Sequence, residues 1–329
     1  MASTPATQEV TAPAPGQPQA RWEIPLAACL SALSFAAFLA MPLVGALAFP
    51  FAAVPLVRVT HRLGLGPGMV GTGLAAALLF GVALASAGVR EAAGVALAAA
   101  VVTGLPALLA GRVRRGGEAS RAFLLLGLIG GLLCAGILLA LPAAGAPPVG
   151  AQLRSTFDAM IPAALESYRR SRADAATLER VRSTLAAARD FAGTYWAGLV
   201  GAGWIIGSAV AFYAGARSAR PAASAETVRF EQLRLPAGGA ISFVAAGAAF
   251  ALTRDLPRVL AGDVLLALAA LYFVAGLSII CHFARRWFRA WLLRFGLYVL
   301  AAYFPMSLGV ALLGLFDWYV NFRRRGEKE

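Results

Sequence analysis

Charge is what this 329-residue chain has least of: 14% of its residues are charged, 60% are hydrophobic, and the mean hydropathy is +0.73. A soluble domain carries about 25% charged residues, so a chain of this length lacks the polar surface to fold in water. Histidine is limited to His61 and His282, too few for a conventional zinc site. The three cysteines, Cys29, Cys134 and Cys281, lie inside apolar segments, without metal-ligand spacing or a disulfide framework. No Gly-x-x-x-x-Gly-Lys-Ser/Thr loop is present to cradle ATP phosphates, and no His-Glu-x-x-His motif. Gly262-Asp263 lacks the flanking residues and the second aspartate of an intramembrane aspartyl site. Gly207-Ser208 lacks those of a serine-protease elbow. The chain is therefore not expected to be an enzyme, and no cofactor is expected.

What the chain has in quantity is apolar runs. Apolar stretches cover 24–41, 43–57, 68–88, 91–111, 121–142, 195–215, 238–253, 259–283 and 291–320, the last interrupted by Pro305. About 20 apolar residues span a bilayer. The expectation is an all-α polytopic transmembrane bundle of eight to ten membrane segments over residues 23–320. It is preceded by a disordered tail at 1–22 and followed by a basic tail at 321–329. The first tail carries no positive charge before Arg21, so a signal peptide is not expected.

The balance of 29 Lys+Arg against 16 Asp+Glu would suggest nucleic acid in a soluble protein. Here Lys328 is the only lysine, and the arginines fall in short loops between apolar runs, so no nucleic-acid partner is expected. One set of loops holds Arg58 and Arg62, then Arg112 to Arg121, Arg217 to Arg234 and Arg285 to Arg294; the alternate short loops hold only Arg90, Arg254 and Arg258. The positive-inside rule makes the first set cytoplasmic and both termini internal. Arg323, Arg324 and Arg325 fit this only if 291–320 turns back on itself near Pro305.

Residues 150–194 are polar and fall on the extracytoplasmic side. Leu153, Phe157, Ile161, Leu165 and Tyr168 form one apolar helical stripe, and Leu178, Val181, Leu185 and Ala188 a second. Two amphipathic helices follow, either a solvated structural hairpin or a lid over a cavity that opens outward.

Ionisable residues in or beside spans are functional candidates because charge in hydrocarbon is costly. Asp263 is either a cavity residue or a helix-start carboxylate. His282 ends the same span, and Asp317 is expected to pair with the arginines at 285–294. Trp204, at mid-span, lines a pocket or packs. Ala28, Ala32, Ala36 and Ala40 recur at every fourth residue, a stripe that admits close helix approach.

The run Gly314-Leu315-Phe316-Asp317-Trp318 with Asn321-Phe322-Arg323-Arg324 resembles the closing signature of the YybS-like family, predicted bacterial multipass membrane proteins with a domain of unknown function. Gly276-Leu277-Ser278 with His282-Phe283, and Phe230-x-x-Leu233-Arg234-Leu235-Pro236, are similar to further segments of that family. The opening helix, followed by Pro42, Gly45, Pro55 and Gly64-Leu65-Gly66-Pro67-Gly68, is distantly similar to the S-components of energy-coupling-factor transporters. That resemblance implies a partner membrane subunit docked on Ala28, Ala32 and Ala36, and a small-molecule solute. The expectation is a bacterial inner-membrane solute-binding subunit without its own ATPase. The alternative is a membrane scaffold that recruits proteins or anionic lipids.

Overall fold

The computed structural model describes residues 18–40, 49–86, 88–111, 148–219, 230–235, 237–303, 305–320 and 322–325, with scattered positions between 120 and 136. Every regular element among them is helical. In chain order these are α1 (Pro18–Ala40), α2 (Val54–Leu63), α3 (Leu65–Ser86) and α4 (Val89–Ala110). Then come α5 (Val149–Arg170), α6 (Ala175–Thr194), α7 (Trp196–Ser218), α8 (Ala237–Leu252), α9 (Asp255–Trp287), α10 (Trp291–Ala302), α11 (Met306–Val320) and α12 (Phe322–Arg325).

Four of these, α3, α4, α7 and α9, are long and apolar enough to cross a membrane, or five spans if the bent pair α10 and α11 counts as one. Between 28% and 50% of the residues in their apolar windows are buried within the protein. Many of the others, including Val70, Leu74 and Val82 on α3, are exposed, an apolar surface that only lipid solvates at low cost. Helix α9, with 33 residues, is about 50 Å long, more than the hydrocarbon core alone requires. The span expected at 121–142 lies largely outside the described residues.

Two departures from the sequence pattern have local causes. The short helix expected at 43–57 starts at Val54 and runs to Leu63, carrying Arg58 and Arg62 on the helix rather than in a loop. Its start is set by Pro55, whose missing N–H is harmless in a first turn. It buries Leu56, Val57 and Val59 beside Ala211 and Phe212 of α7. Within α4, residues Ala100–Gly104 form a π-helical turn just before Pro106. A proline cannot donate to the preceding turn, and the wider turn absorbs that break without ending the helix.

The bent pair meets at 94° around Pro305. Glu231 relates to both sides of the pair: Arg294 of α10 lines the same cavity, and Arg323 of α12, the helix that follows α11, donates to its backbone carbonyl.

Helices α5 and α6 pack on each other. Leu153, Phe157, Ile161 and Leu165 of α5, and Leu178, Val181 and Leu185 of α6, are half-buried, whereas Tyr168 and Ala188 are exposed. The two stripes therefore cover one another. Arg189 clasps the hairpin, pairing with Asp158 of α5 at 2.9 Å and with Asp190 at 2.9 Å. Asp174 caps α6, accepting from the Thr177 N–H at 2.9 Å. Those hydrogen bonds hold the Asp174 carboxyl below the usual carboxylate range. A group depressed on folding adds stability above its ordinary pKa, and that stability disappears as pH falls through the folded value. Hydrogen exchange at the start of α6 is therefore expected to accelerate, relative to intrinsic rates, below about pH 4. Asp174→Ala abolishes that pH dependence; an unchanged profile in the variant contradicts the capping role.

Candidate functional site

A cavity of about 630 Å³, open to the surface, lies between α7, α9 and α10. Its walls combine two chemistries. Ile206, Val210, Val274, Leu277 and Phe295 supply an apolar lining, while Arg217, Arg285, Arg294 and Glu231 bring charge. Arg217 closes the last turn of α7, Arg285 the last turn of α9, and Arg294 the first turn of α10. The three cations converge because α7 and α9 run side by side in the same direction: Gly198 meets Asp263 near their starts, and Arg217 and Arg285 share the cavity near their ends. Glu231 forms an ion pair with Arg285. Three guanidiniums against one carboxylate leave an excess of two positive charges in the described wall. Arg294 Nη2 donates to the Arg289 carbonyl at 2.9 Å, and its Nε is buried without a partner. The Tyr298 hydroxyl donates to Cys281 Sγ at 3.3 Å, and Tyr213 stacks edge-on against Phe230, their ring centres 4.9 Å apart.

Behind this cavity a buried polar knot fixes Glu231. Arg323, 5% exposed, donates to the carbonyls of Glu231 at 2.5 Å and Leu233 at 2.8 Å and to Ser278 Oγ at 2.7 Å. Its Nη2 stands 3.5 Å from Asp317 Oδ2. Burial pulls the Arg323 guanidinium below its ordinary value, opposed by the Asp317 charge. Asp317 Oδ1 and the Tyr272 hydroxyl, both buried without hydrogen-bond partners, belong to residues lining a smaller cavity of about 90 Å³.

The sequence candidates fall in different places. Asp317 was expected to pair with the arginines at 285–294, but its partner is Arg323, because α12 places that side chain against the last turn of α11; Arg285 is taken by Glu231. Gly276 and Gly314 bring α9 and α11 into backbone contact: a Cβ on Gly314 would stand 2.6 Å from the Gly276 nitrogen. His282 sits edge-on against Phe283, their ring centres 5.3 Å apart.

Trp204 is a packed core residue, 3% exposed, grouped with Phe123, Ile205, Leu233, Leu271 and Val274, and the void beside it is only about 10 Å³. Asp263 works as a helix-start carboxylate, for α7 rather than for its own helix: its Oδ1 accepts from the Gly198 N–H at 2.8 Å, in the first turn of α7. Asp263→Ala is expected to lower stability in detergent by about 1 kcal/mol, with Asp263→Asn closer to wild type in thermal unfolding. Equal losses for both would show that something other than the cap is being measured.

Ala28 and Ala32, 1% and 7% exposed, and the half-buried Ala36 pack in one cluster with Phe35, Ala75, Leu79 and Ala99. The stripe on which a partner was expected to dock is thus covered by α3 and α4 of the same chain; the small side chains serve internal packing.

The cavity residues Arg217, Glu231, Arg285, Arg294 and Tyr298 carried no functional signal in the sequence beyond the basic loops that set orientation. Among the described residues no group of three or more His, Cys, Asp or Glu side chains is placed to hold a metal ion. The family described as "Predicted membrane protein (DUF2232)" matches residues 29–318. The chain belongs to the DUF2232 family. That membership covers most of the sequence and agrees with the apolar, lipid-facing helices of the fold. The closer likenesses to YybS-like proteins and to S-components do not follow from it. No curated protein and no solved structure matches this DUF2232 chain.

Proposed function

We propose that this DUF2232 protein is a small-solute-binding subunit of a bacterial cytoplasmic-membrane system, without an ATPase or other enzymatic activity of its own. One observation carries the reading: an open 630 Å³ cavity whose wall holds three guanidiniums against one carboxylate. That volume falls within the roughly 300–1,000 Å³ of small-molecule sites, and the charge excess selects a negatively charged solute. The motif resemblances to YybS-like proteins and, more distantly, to S-components support the same class.

In this reading both termini and the basic ends of α7 and α9 are cytoplasmic, and the α10–α11 pair is a re-entrant hairpin. Supporting that topology, Arg294 of α10 lines the cavity that Glu231 also lines, and Arg323 of α12 donates to the Glu231 carbonyl. The solute chamber is then at the inner face rather than beneath the α5–α6 hairpin. The buried alanine stripe of α1 is not its docking surface.

Native mass spectrometry of gently extracted protein tests this. The expected spectrum contains a small anionic adduct that disappears in Leu277→Trp, a substitution that fills the cavity, while the fold survives. A wild type free of adducts under mild extraction, or an adduct indifferent to Leu277→Trp, overturns the proposal.

The scaffold alternative is favoured by one feature. The α5–α6 hairpin packs chiefly on itself and leaves Met160, Tyr168 and Phe191 exposed. Loss of companion proteins on deletion of 150–194, with the anionic adduct absent throughout, would favour it.

A further inference from the structure

We propose that the occupant of the chamber is an amphiphile with a phosphate-type anionic head and an apolar tail, drawn from the surrounding lipid. This rests on reading the chamber as a ligand site and names the ligand's class. The head is specified by the arginines. Guanidinium offers a planar fork of donors that matches phosphate oxygens, and three of them line one cavity with a single ion pair among them. Arg294 is held by the Arg289 carbonyl through Nη2, which fixes this guanidinium in the wall.

The tail is specified by the remaining wall. Ile206, Val210, Val274, Leu277 and Phe295 give a soluble anion nothing to bind but offer an acyl or prenyl chain a continuous apolar surface. The chamber also has a way out to lipid. Trp291 and Phe295, which line it, are themselves 72% and 57% exposed, and Leu292, Val299 and Leu300 continue the apolar exposure along α10. A head seated among the arginines can therefore leave its chain lying along α10 in the bilayer. Trp291, exposed at the start of α10, is the kind of side chain that anchors at headgroup depth.

The test is native mass-spectrometric titration of the full chain in mild detergent with three probes: dihexanoyl phosphatidic acid, dihexanoyl phosphatidylcholine and inorganic phosphate. Phosphatidic acid is expected to bind at least about tenfold more tightly than either of the others. The Arg217→Gln/Arg294→Gln double variant is expected to weaken it by roughly tenfold or more, with Arg294→Lys losing less. Arg217 is exposed, so Arg217→Gln alone keeps the test informative if the double variant does not fold. Equal binding of phosphatidylcholine, or indifference to the arginine variants, overturns the proposal. If inorganic phosphate binds as tightly as phosphatidic acid, the amphiphile is overturned while an anion chamber stands. If none of the three binds and the extracted protein carries no anion, both readings fall.

Discussion

Replacing Gly276 or Gly314 with valine is expected to destabilise the protein by about 3 kcal/mol, at the upper end for overpacked sites. The cause is geometric. Without side chains at these positions α9 and α11 touch through their backbones. A Cβ at Gly276 would stand 2.8 Å from the Val310 carbonyl carbon, and one at Gly314 would stand 2.6 Å from the Gly276 nitrogen and 3.0 Å from the Tyr272 carbonyl carbon. Backbone atoms of a helix cannot rotate aside, so the helices must separate. Separation forfeits the close dispersion contacts that hold helices together where lipid is as apolar as the side chains. Gly309 on the same helix has open space where a Cβ would go, which makes Gly309→Ala the control. Thermal unfolding in mild detergent should show a large drop for the two valine variants and almost none for the control. A Gly276→Val protein that melts like wild type would mean that α9 and α11 are not in backbone contact.

Arg323→Met is expected to cost about 3–5 kcal/mol, the usual consequence of removing one partner from a buried ion pair. It strips Asp317 of its counter-charge, removes the guanidinium donor from the Glu231 carbonyl and Ser278 Oγ, and leaves the Leu233 carbonyl only the Ser278 hydroxyl at 3.3 Å. Asp317→Asn is expected to cost less, because Arg323 keeps those three acceptors. The Asp317→Asn/Arg323→Met double variant should be more stable than the sum of the single losses implies, since the uncompensated carboxylate is gone. Ligand binding should respond too. Arg323 holds the backbone of Glu231, whose carboxylate neutralises Arg285 in the chamber wall, so Arg323→Met is expected to change anion affinity as well as stability. Strict additivity of the two substitutions in denaturation would contradict the pairing.

The all-helical, apolar character of the chain was legible in the sequence, but the expected count of eight to ten membrane segments was not matched. Among the described residues four helices, or five spans with the bent pair, are long and apolar enough to cross a membrane, because the stretches at 43–57 and 238–253 form shorter helices. Low charge and long apolar runs specify lipid-solvated helices because the hydrophobic cost of the alternative is large and depends only on composition. The two stripes in 150–194 were equally readable, since helical periodicity is local. What periodicity does not reveal is which stripe covers which. The α5 and α6 stripes cover each other, and the alanine stripe of α1 is covered by α3 and α4 rather than left for a partner. Asp317 was legible as a residue needing an arginine, but Arg285, Arg286, Arg289, Arg294, Arg323, Arg324 and Arg325 all satisfied the pattern, and only the folded position of α12 selects Arg323. The chamber was least legible. Arg217, Glu231, Arg285 and Arg294 are separated by up to 77 residues in sequence, and in a membrane protein each arginine is already accounted for as a loop charge. Their convergence depends on the common direction of α7 and α9 and on the return of α10, which no local pattern encodes.

The most direct measurement is charge-selective labelling of the chamber. Leu277→Cys, in a chain whose Cys29, Cys134 and Cys281 have been replaced, places one thiol in its wall. Membrane-impermeant thiosulfonates of opposite charge are then applied to inverted and right-side-out vesicles. The expected result is modification from the cytoplasmic side only, about tenfold faster by the anionic reagent than by a cationic one of equal size. Equal or faster reaction with the cation, or no reaction from that side, would contradict a water-accessible, positively charged chamber at the inner face.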